Sequence, residues 1–309
     1  VSRSLFPGLT EPLSQRWRNG RDSYRPADDE RFEPRHYEVA LVTRDADVRP
    51  FVARHHYSAS LPNSGRYRFV LVDNRLPADE RVVGASVFGS PSGPSVLSAA
   101  FPFLTSPNQE AAELQRLVLV DEVRKNGESW FVSQCFRTLK LAGLEAVVSY
   151  SDPSPRWDAD GVVVMPGHVG CVYQALSAWY TGRARARWSW YVAESGHQIN
   201  ERDLTKVRAK CPCCGSGKSA DGGLGAVERL VGWGARRPKR GECFRSWLAA
   251  VLPTLGERRR HGGNHRYVWG IAKAARKGLV RLHDGQPDST TYPKTIDPTA
   301  RPSWAGDDA

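Results

Sequence analysis

ELQRLVLV (residues 113–120) is followed by DEVRKNGE (121–128), SWFVSQCFRTLKLA (129–142), GLEAVVSYSD (143–152) and, further on, PGHVGCVYQALSAWYTG (166–182). The apolar run Glu113–Val120, with a single arginine at Arg116, predicts a strand. The polar stretch Asp121–Glu128 predicts a loop, and Ser129–Ala142 a helix that stops at Gly143. Ala146–Asp152 predicts a second strand. Pro166-Gly167-His168-Val169-Gly170 then opens a helix expected over Cys171–Tyr180, ending at Gly182. A strand that feeds a short loop at a helix N-terminus is a cradle for phosphate, because the first amides of the helix point outward. A second strand ending in polar residues beside that cradle is where open α/β sheets place their chemistry.

Outward from this stretch, residues 1–36 are rich in Arg, Asp, Glu, Ser and Pro with little periodicity, which predicts an extended or partly ordered basic arm. Order is expected from the strand YEVALV (37–42). Val48, Phe51, Val52 and His55 have helical spacing, with Asp45 or Asp47 as cap. YRFVLV (67–72) and RVVGASVF (81–88) predict an antiparallel hairpin. Leu97–Leu104 holds Pro102 and reads as a loop or edge. These elements predict a core over 37–205. A basic Cys/Arg-rich region is expected over 206–283, with a helix near Glu242–Leu255, and an extended tail over 284–309.

The chain of 309 residues, 40% hydrophobic and 25% charged, can bury a real core. Lys and Arg outnumber Asp and Glu by 44 to 33, a net charge of +11 that favours polyanionic partners, double-stranded DNA first among them. No signal-peptide pattern and no membrane-length apolar run is visible, so a cytoplasmic setting with reduced thiols is expected. Cys135 and Cys171 lie in apolar contexts and are expected to be buried.

Several constellations can carry chemistry. Arg124, Lys125, Asn126, Gly127 and Ser129 combine one glycine, two cations and a helix start, suited to pyrophosphate; an ordinary surface loop is the alternative. His55-His56-Tyr57 offers imidazole and phenolate to a transition metal, or a satisfied structural histidine. Pro153 stops its strand and aims Asp152 out of the sheet, where a carboxylate accepts a proton, orients a base or binds metal, or simply forms a turn. His168 lies beside a helix N-terminus whose dipole would keep it neutral, as base or ligand. Tyr173, one turn on, is placed to protonate a leaving thiolate or to pack. Cys211-Pro212-Cys213-Cys214-Gly215 has the form of half a zinc knuckle. Cys243 with His261, or Cys213, would have to complete it; free surface thiols are the alternative. Basic and aromatic residues interleave over 183–191, 236–240 and 258–269. Arg183, Arg185, Arg187, Arg236, Arg237, Lys239, Arg240 and Arg266 are the candidate phosphate contacts, against a merely solvated basic face.

Taken in order, several of these pieces resemble the Mom DNA-modification family of phage Mu type, over roughly Val48 to Lys294. They are His56-Tyr57-Ser58, the strand with Arg116, Ser149–Asp152, and Gly167–Gly170 with Tyr173-Gln174-Ala175. Arg202-Asp203-Leu204, His265-Arg266-Tyr267-Val268 and Tyr292-Pro293-Lys294 follow. The resemblance implies a GNAT-like α/β fold: a mixed, mostly antiparallel central sheet flanked by helices, here with a basic C-terminal extension carrying the knuckle. It implies an enzyme that installs a methylcarbamoyl group on the exocyclic amine of adenine in phage DNA, shielding it from restriction. Acetyl-CoA or a related acyl donor, and iron, are attributed to the family. On this resemblance Arg124–Ser129 becomes the CoA loop. His56, Tyr57 and Asp152 become candidates for iron and catalysis.

The adenine amine is a weak nucleophile on the pairing edge, so the base must leave the stack. Tyr57, Trp130, Tyr150 and Trp179 are candidates to stack on it. Two rival functions remain at this level: an ordinary GNAT acetyltransferase acting on a protein or small-molecule amine, and a non-catalytic DNA-binding protein.

Overall fold

The computed structural model describes residues 13–18, 21–26, 32–165, 167–211, 213–215 and 223–296. The rest of the expected arm and tail, with Pro166 and Pro212, lies outside the described residues. Two compact units emerge: residues 1–152, 168–182 and 264–295 form one, and 153–167, 183–263 and 296–309 the other.

In chain order, the first unit holds β1 (Leu13–Arg18), β2 (Arg21–Pro26), β3 (Tyr37–Val42), α1 (Arg49–His55), β4 (Gly65–Asp73) and β5 (Val82–Gly89). It continues with α2 (Val96–Ala100), α3 (Pro107–Glu110), β6 (Ala111–Leu119), α4 (Gly127–Leu141) and β7 (Ala146–Ser151). The chain then supplies β8 (Arg156–Trp157) and β9 (Val163–Met165) to the second unit, followed by α5 (Cys171–Ala175) and β10 (Trp179–Arg183). β11 (Arg187–Val192), β12 (Gln198–Ile199), α6 (Glu201–Ala209), α7 (Gly223–Gly232), α8 (Phe244–Leu255) and β13 (Gly256–His261) belong to the second unit. β14 (His265–Gly270) and α9 (Lys273–Leu282) return to the first.

Seven strands form the central sheet in the order β10-β14-β7-β6-β5-β4-β3. β3–β4, β4–β5, β5–β6 and β7–β14 are antiparallel, whereas β6 and β7 run parallel. Alternation along β4 explains the layering: Phe69 and Leu71 face a core built with Phe131, Val132 and Leu139 of α4. Val70 faces the opposite side, with Val48 and Val52 at α1. Further along that side, Ala111, Val148 and Val268 pack with Leu97 of α2 and Leu279 of α9. Both faces are covered, so the strands read as continuous apolar runs.

One irregularity positions the site. β6 and β7 are paired only from Ala111↔Ala146 to Leu114↔Ser149, although β6 runs on to Leu119. Against β5, β6 carries a bulge between the Arg116↔Val87 and Leu114↔Phe88 pairs. The extra residue, Gln115, bends the strand. Ser149 Oγ donates to the Leu114 carbonyl over 3.0 Å at the last paired position. Beyond it the carboxyl ends of the two strands part.

Several expectations are corrected. The helix expected over 171–180 stops at Ala175; Ser177 adopts a positive φ of 52°, and Trp179–Arg183 joins the sheet as a strand. Leu97 belongs to a short helix rather than a loop, and Pro102 follows it. α1 has no side-chain cap, because Asp45 pairs with Arg49 at 3.0 Å and Asp47 with Arg44 at 2.8 Å. Leu13–Arg18 and Arg21–Pro26 pair as antiparallel strands where an extended arm was expected. The Asn19-Gly20 dipeptide between these strands is a hairpin sequence signal that composition passed over. Cys135 is buried as expected, but Cys171 is exposed. The compact units also cut across the expected boundaries at 205 and 283, since β14 inserts beside β7.

In the second unit β12-β11-β13 form a three-stranded sheet. Helices α6, α7 and α8 share a core that includes Leu204, Val207, Leu230, Trp247 and Leu252. Asn200 caps α6 by accepting the Arg202 N–H at 2.9 Å. Among the described residues no helix is long and apolar enough to cross a membrane.

Candidate active site

Glu113 sits on β6 just before the strands part. Burial pushes its carboxyl up to about 7, with Gln115 and the charge of Arg116 partly opposing the rise. Sequence reasoning used Glu113 only as the start of a strand. The signal available was a lone acid inside an apolar run, AAELQRLVL (111–119). Arg116 donates through Nε to the Ser60 carbonyl (2.9 Å) and through Nη1 to the carbonyl of the bulge residue Gln115 (2.7 Å). It thereby ties the loop after α1 to the open end of β6.

That loop carries His56, which is 9% exposed. The Ser58 amide donates to His56 Nδ1 over 3.1 Å, with the Ser58 hydroxyl at 2.8 Å from the same atom. An accepting Nδ1 puts the proton of a neutral imidazole on Nε2. Burial, reinforced by Arg116 and His168, pulls the His56 pKa down to about 3. The ring is a neutral N–H donor across the physiological range. Tyr57 packs on it with ring centroids 4.2 Å apart and remains 49% exposed.

On the other side of the opening, Tyr173 of α5 hydrogen-bonds Ser149, and burial holds its phenol well above the usual range. It packs against Tyr267 at 5.4 Å and Trp269 at 5.5 Å. Glu113 and Tyr57 both lie within its electrostatic reach. The preceding turn is clamped: Tyr267 Oη donates to the Val169 carbonyl, and Gln174 Nε2 donates to the same oxygen at 2.9 Å and to Pro293 O at 3.1 Å. Gly170 has φ 76°, and a Cβ there would stand 2.8 Å from the Tyr173 ring and 2.9 Å from that of Tyr267. The His168 amide donates to the Asp152 carbonyl at 2.8 Å. Burial lowers the His168 pKa, and the charge of Asp152 partly restores it. The helix dipole expected to do this is weak, since α5 has five residues. Electrostatic reach links Arg116 to His56, Tyr57 and Glu113, Tyr173 to Tyr57 and Glu113, and His168 to His56 and Asp152, all on the first unit.

Residues 36–212, more than half of the chain, match the Mom protein family. The chain belongs to the Mom protein family. A search of curated proteins finds no match. Among solved structures, a GNAT family N-acetyltransferase from Escherichia coli in complex with CoA is 17% identical, with TM-score 0.28, covering 38% of this chain and 64% of that one. The ribosomal-protein-S5-alanine acetyltransferase from Vibrio fischeri is 15% identical, with TM-score 0.32, covering 54% and 91%. A mosquito arylalkylamine N-acetyltransferase like 5b is 12% identical, with TM-score 0.32, covering 75% and 100%. The match spans under two thirds of the first of these, and such scores transfer no chemistry. The mixed, mostly antiparallel central sheet flanked by helices that was expected from the sequence is the one observed. The match ends at 212, so His265–Val268 and Tyr292–Lys294 lie beyond it.

In this Mom-family chain the candidate iron ligands His56, Tyr57 and Asp152 all lie on the first unit, with Tyr57 packed on the His56 ring. Among the described residues, only four cysteines bring three or more His, Cys, Asp or Glu ligand atoms within 4.8 Å of one another. His56 and Asp152 belong to no such group, and His56 Nδ1 is already an acceptor.

The expected CoA cradle is a tight turn at a helix start. Asn126 is left-handed (φ 72°) and stands at the N-cap position of the 15-residue α4, with no side-chain cap bond. The Gly127 amide donates to Arg124 O, and the helical ladder opens with Trp130 N–H on Asn126 O (both 3.0 Å). The turn is tight at Gly127, where a Cβ would lie 2.4 Å from Val123 Cγ1. Ser129 Oγ, however, donates back to Asn126 O at 3.1 Å.

The basic candidates divide. Arg236 and Arg237 are engaged by Glu242 and Glu228, each pair closing at 2.6 Å, and Arg266 donates to Thr181 Oγ1 at 2.6 Å. Arg183 donates to Gly263 O at 3.1 Å. Arg185, Arg187, Lys239 and Arg240 are exposed. Structure adds a face that sequence spacing did not assemble: β11 and β13 pair Trp188 with Arg260 and Trp190 with Arg258. The Arg258 guanidinium stands 5.5 Å from the ring centroid of Trp188, which is 55% exposed. Of the stacking candidates, Tyr57 stays exposed. Trp179 is buried, with its indole N–H on Gly285 O. Trp130 packs on Phe32 at 5.4 Å, and Tyr150 is hydrogen-bonded by Arg266.

Proposed function

We propose that this Mom-family protein transfers an acyl group to an amine, and that the amine is the exocyclic amine of adenine in double-stranded DNA. The observation that carries the reading is Glu113, poised near neutrality beside a protonated Tyr173 where β6 and β7 part. Bound acyl-CoA supplies an activated acyl carbon and a thiolate leaving group. Glu113 accepts the proton the amine sheds, which is efficient for a group whose pKa lies near the working pH. Tyr173 holds its proton and is suited to deliver it to the leaving group. His56 Nε2–H and Arg116 are fixed donors for negative charge that develops at the reacting centre. Arg124, Lys125 and the start of α4 would hold the pyrophosphate.

The DNA part rests on family membership, on the net charge of +11 and on the Trp188–Arg258–Arg260 face. Tyr57, exposed beside His56, would stack on an extruded base. The test is mass spectrometry of nucleosides from plasmid DNA in cells expressing the protein. A deoxyadenosine heavier by one acyl group supports the reading; one heavier by a methylcarbamoyl group keeps adenine as the target but refutes simple acyl transfer. Unmodified DNA from cells with abundant soluble protein refutes the DNA part and moves the site to an ordinary amine acetyltransferase. Full modification in both His56→Ala and Asp152→Ala would remove those residues from the site.

A further inference from the structure

The second compact unit brings Cys243 to three cysteines that stand close together in sequence, Cys211, Cys213 and Cys214. Cys211 follows α6, Cys213 and Cys214 come directly after, and Cys243 is the N-cap of α8. Cys211 Sγ lies 3.3 Å from the sulfurs of Cys213 and Cys214 and 3.5 Å from that of Cys243. Cys214 and Cys243 are 3.7 Å apart. Four thiolates on a tetrahedral zinc, with Zn–S bonds of about 2.3 Å, stand roughly 3.8 Å from one another. The observed separations are those of a slightly contracted tetrahedron. Neutral thiols are weak donors and acceptors, so their own hydrogen bonds give little reason for four to gather.

The surroundings suit thiolates. The Phe244 N–H donates to Cys211 Sγ at 3.2 Å. The Gly215 N–H donates to the Cys211 carbonyl at 3.0 Å, closing the turn over that sulfur. Cys243 begins the 12-residue α8, whose N-terminal partial charge favours a thiolate. His261, which spacing left as an alternative ligand, stands outside the cluster, and its Nδ1 accepts the Gly263 amide at 3.0 Å. The ligand set is therefore all sulfur and complete.

We propose that Cys211, Cys213, Cys214 and Cys243 bind one zinc ion as a structural tetrathiolate site that clamps the end of α6 to the start of α8. Four protein ligands leave no open position, so the ion has no part in acyl transfer. Its bonds replace apolar burial in a modest core, where Leu204 and Val207 of α6 meet Trp247 and Leu248 of α8. Metal binding is then folding free energy for this unit. The inference stands independently of the proposed reaction.

The experiment is metal analysis of the full chain purified under reducing conditions without chelator, followed by cobalt substitution. One zinc per chain is expected. The cobalt form should show the intense visible bands of a tetrahedral site and thiolate-to-metal charge transfer. Cys211→Ser and Cys243→Ser should lose zinc, whereas Cys171→Ser should retain it. Should the serine variants fail to fold, the wild-type zinc content and cobalt spectrum still decide. A folded protein without zinc that takes up no cobalt, iron in place of zinc, or a disulfide between any two of the four cysteines would each overturn the proposal.

Discussion

Replacing Glu113 by glutamine tests the centre of the site by two independent readouts. The carboxyl rises from 4.5 to about 7 in the folded protein, with burial as the largest cause. That difference corresponds to roughly 3 kcal/mol between its protonation states. The sign follows from proton counting. Below about pH 4.5 both folded and unfolded chains hold the proton. Between about 4.5 and about 7 only the folded chain holds it, so stability falls as pH rises, and above that the loss is complete. Glutamine cannot ionise and does not suffer this loss. The stability of Glu113→Gln relative to wild type should therefore grow by roughly 3 kcal/mol on going from about pH 4 to about pH 8, read by urea denaturation. DNA modification should meanwhile fall by about 10²- to 10⁴-fold, the usual worth of a general base. A stability difference that does not change with pH would refute the burial of the carboxylate. Undiminished modification would refute its role as base.

Three further outcomes are expected. The His56 pKa lies near 3 instead of 6.5, so wild type should lose stability as pH falls through 6.5, when the unfolded chain takes a proton that the folded ring refuses. His56→Asn should show less of that acid loss, and identical pH slopes would contradict the assignment. Gly170→Ala places a Cβ against the Tyr173 and Tyr267 rings at a positive φ, and should cost about 1–3 kcal/mol in chemical denaturation. A stability equal to wild type would mean that the turn holding His168 yields freely. Arg258→Ala with Arg260→Ala should weaken duplex binding across all sequences and lower the log–log salt slope by about 1 per lost phosphate contact. An unchanged slope would move the DNA contact off the β11–β13 face.

Several candidate residues stood out in the sequence because they break local rules. Asp152 precedes a proline at a strand end, His168 sits between two glycines, and Tyr173 follows one turn later. Glu113 was passed over because an acid within an apolar run has no local pattern. Only its neighbours, Gln115 and Arg116 on a bulged strand, turn it into a group that titrates near neutrality. The same limit applies to Trp179, a stacking candidate within an expected helix, which the structure buries on a strand with its indole N–H on the Gly285 carbonyl.

The linear order of apolar runs, loops and caps was sufficient for the strand–loop–helix–strand core, because periodicity and burial are local consequences of side-chain chemistry. So were the β4–β5 hairpin and the approximate ends of α4. Pairing across long separations was not readable. β14 enters the sheet beside β7, β13 takes its place beside β11, and Cys243 arrives at Cys211 only because the folded second unit brings the start of α8 to the end of α6. Each of these depends on the free energy of whole packed faces and not on any neighbouring residue. The chemical character of Glu113, His56 and the four cysteines was decided there, by the tertiary structure.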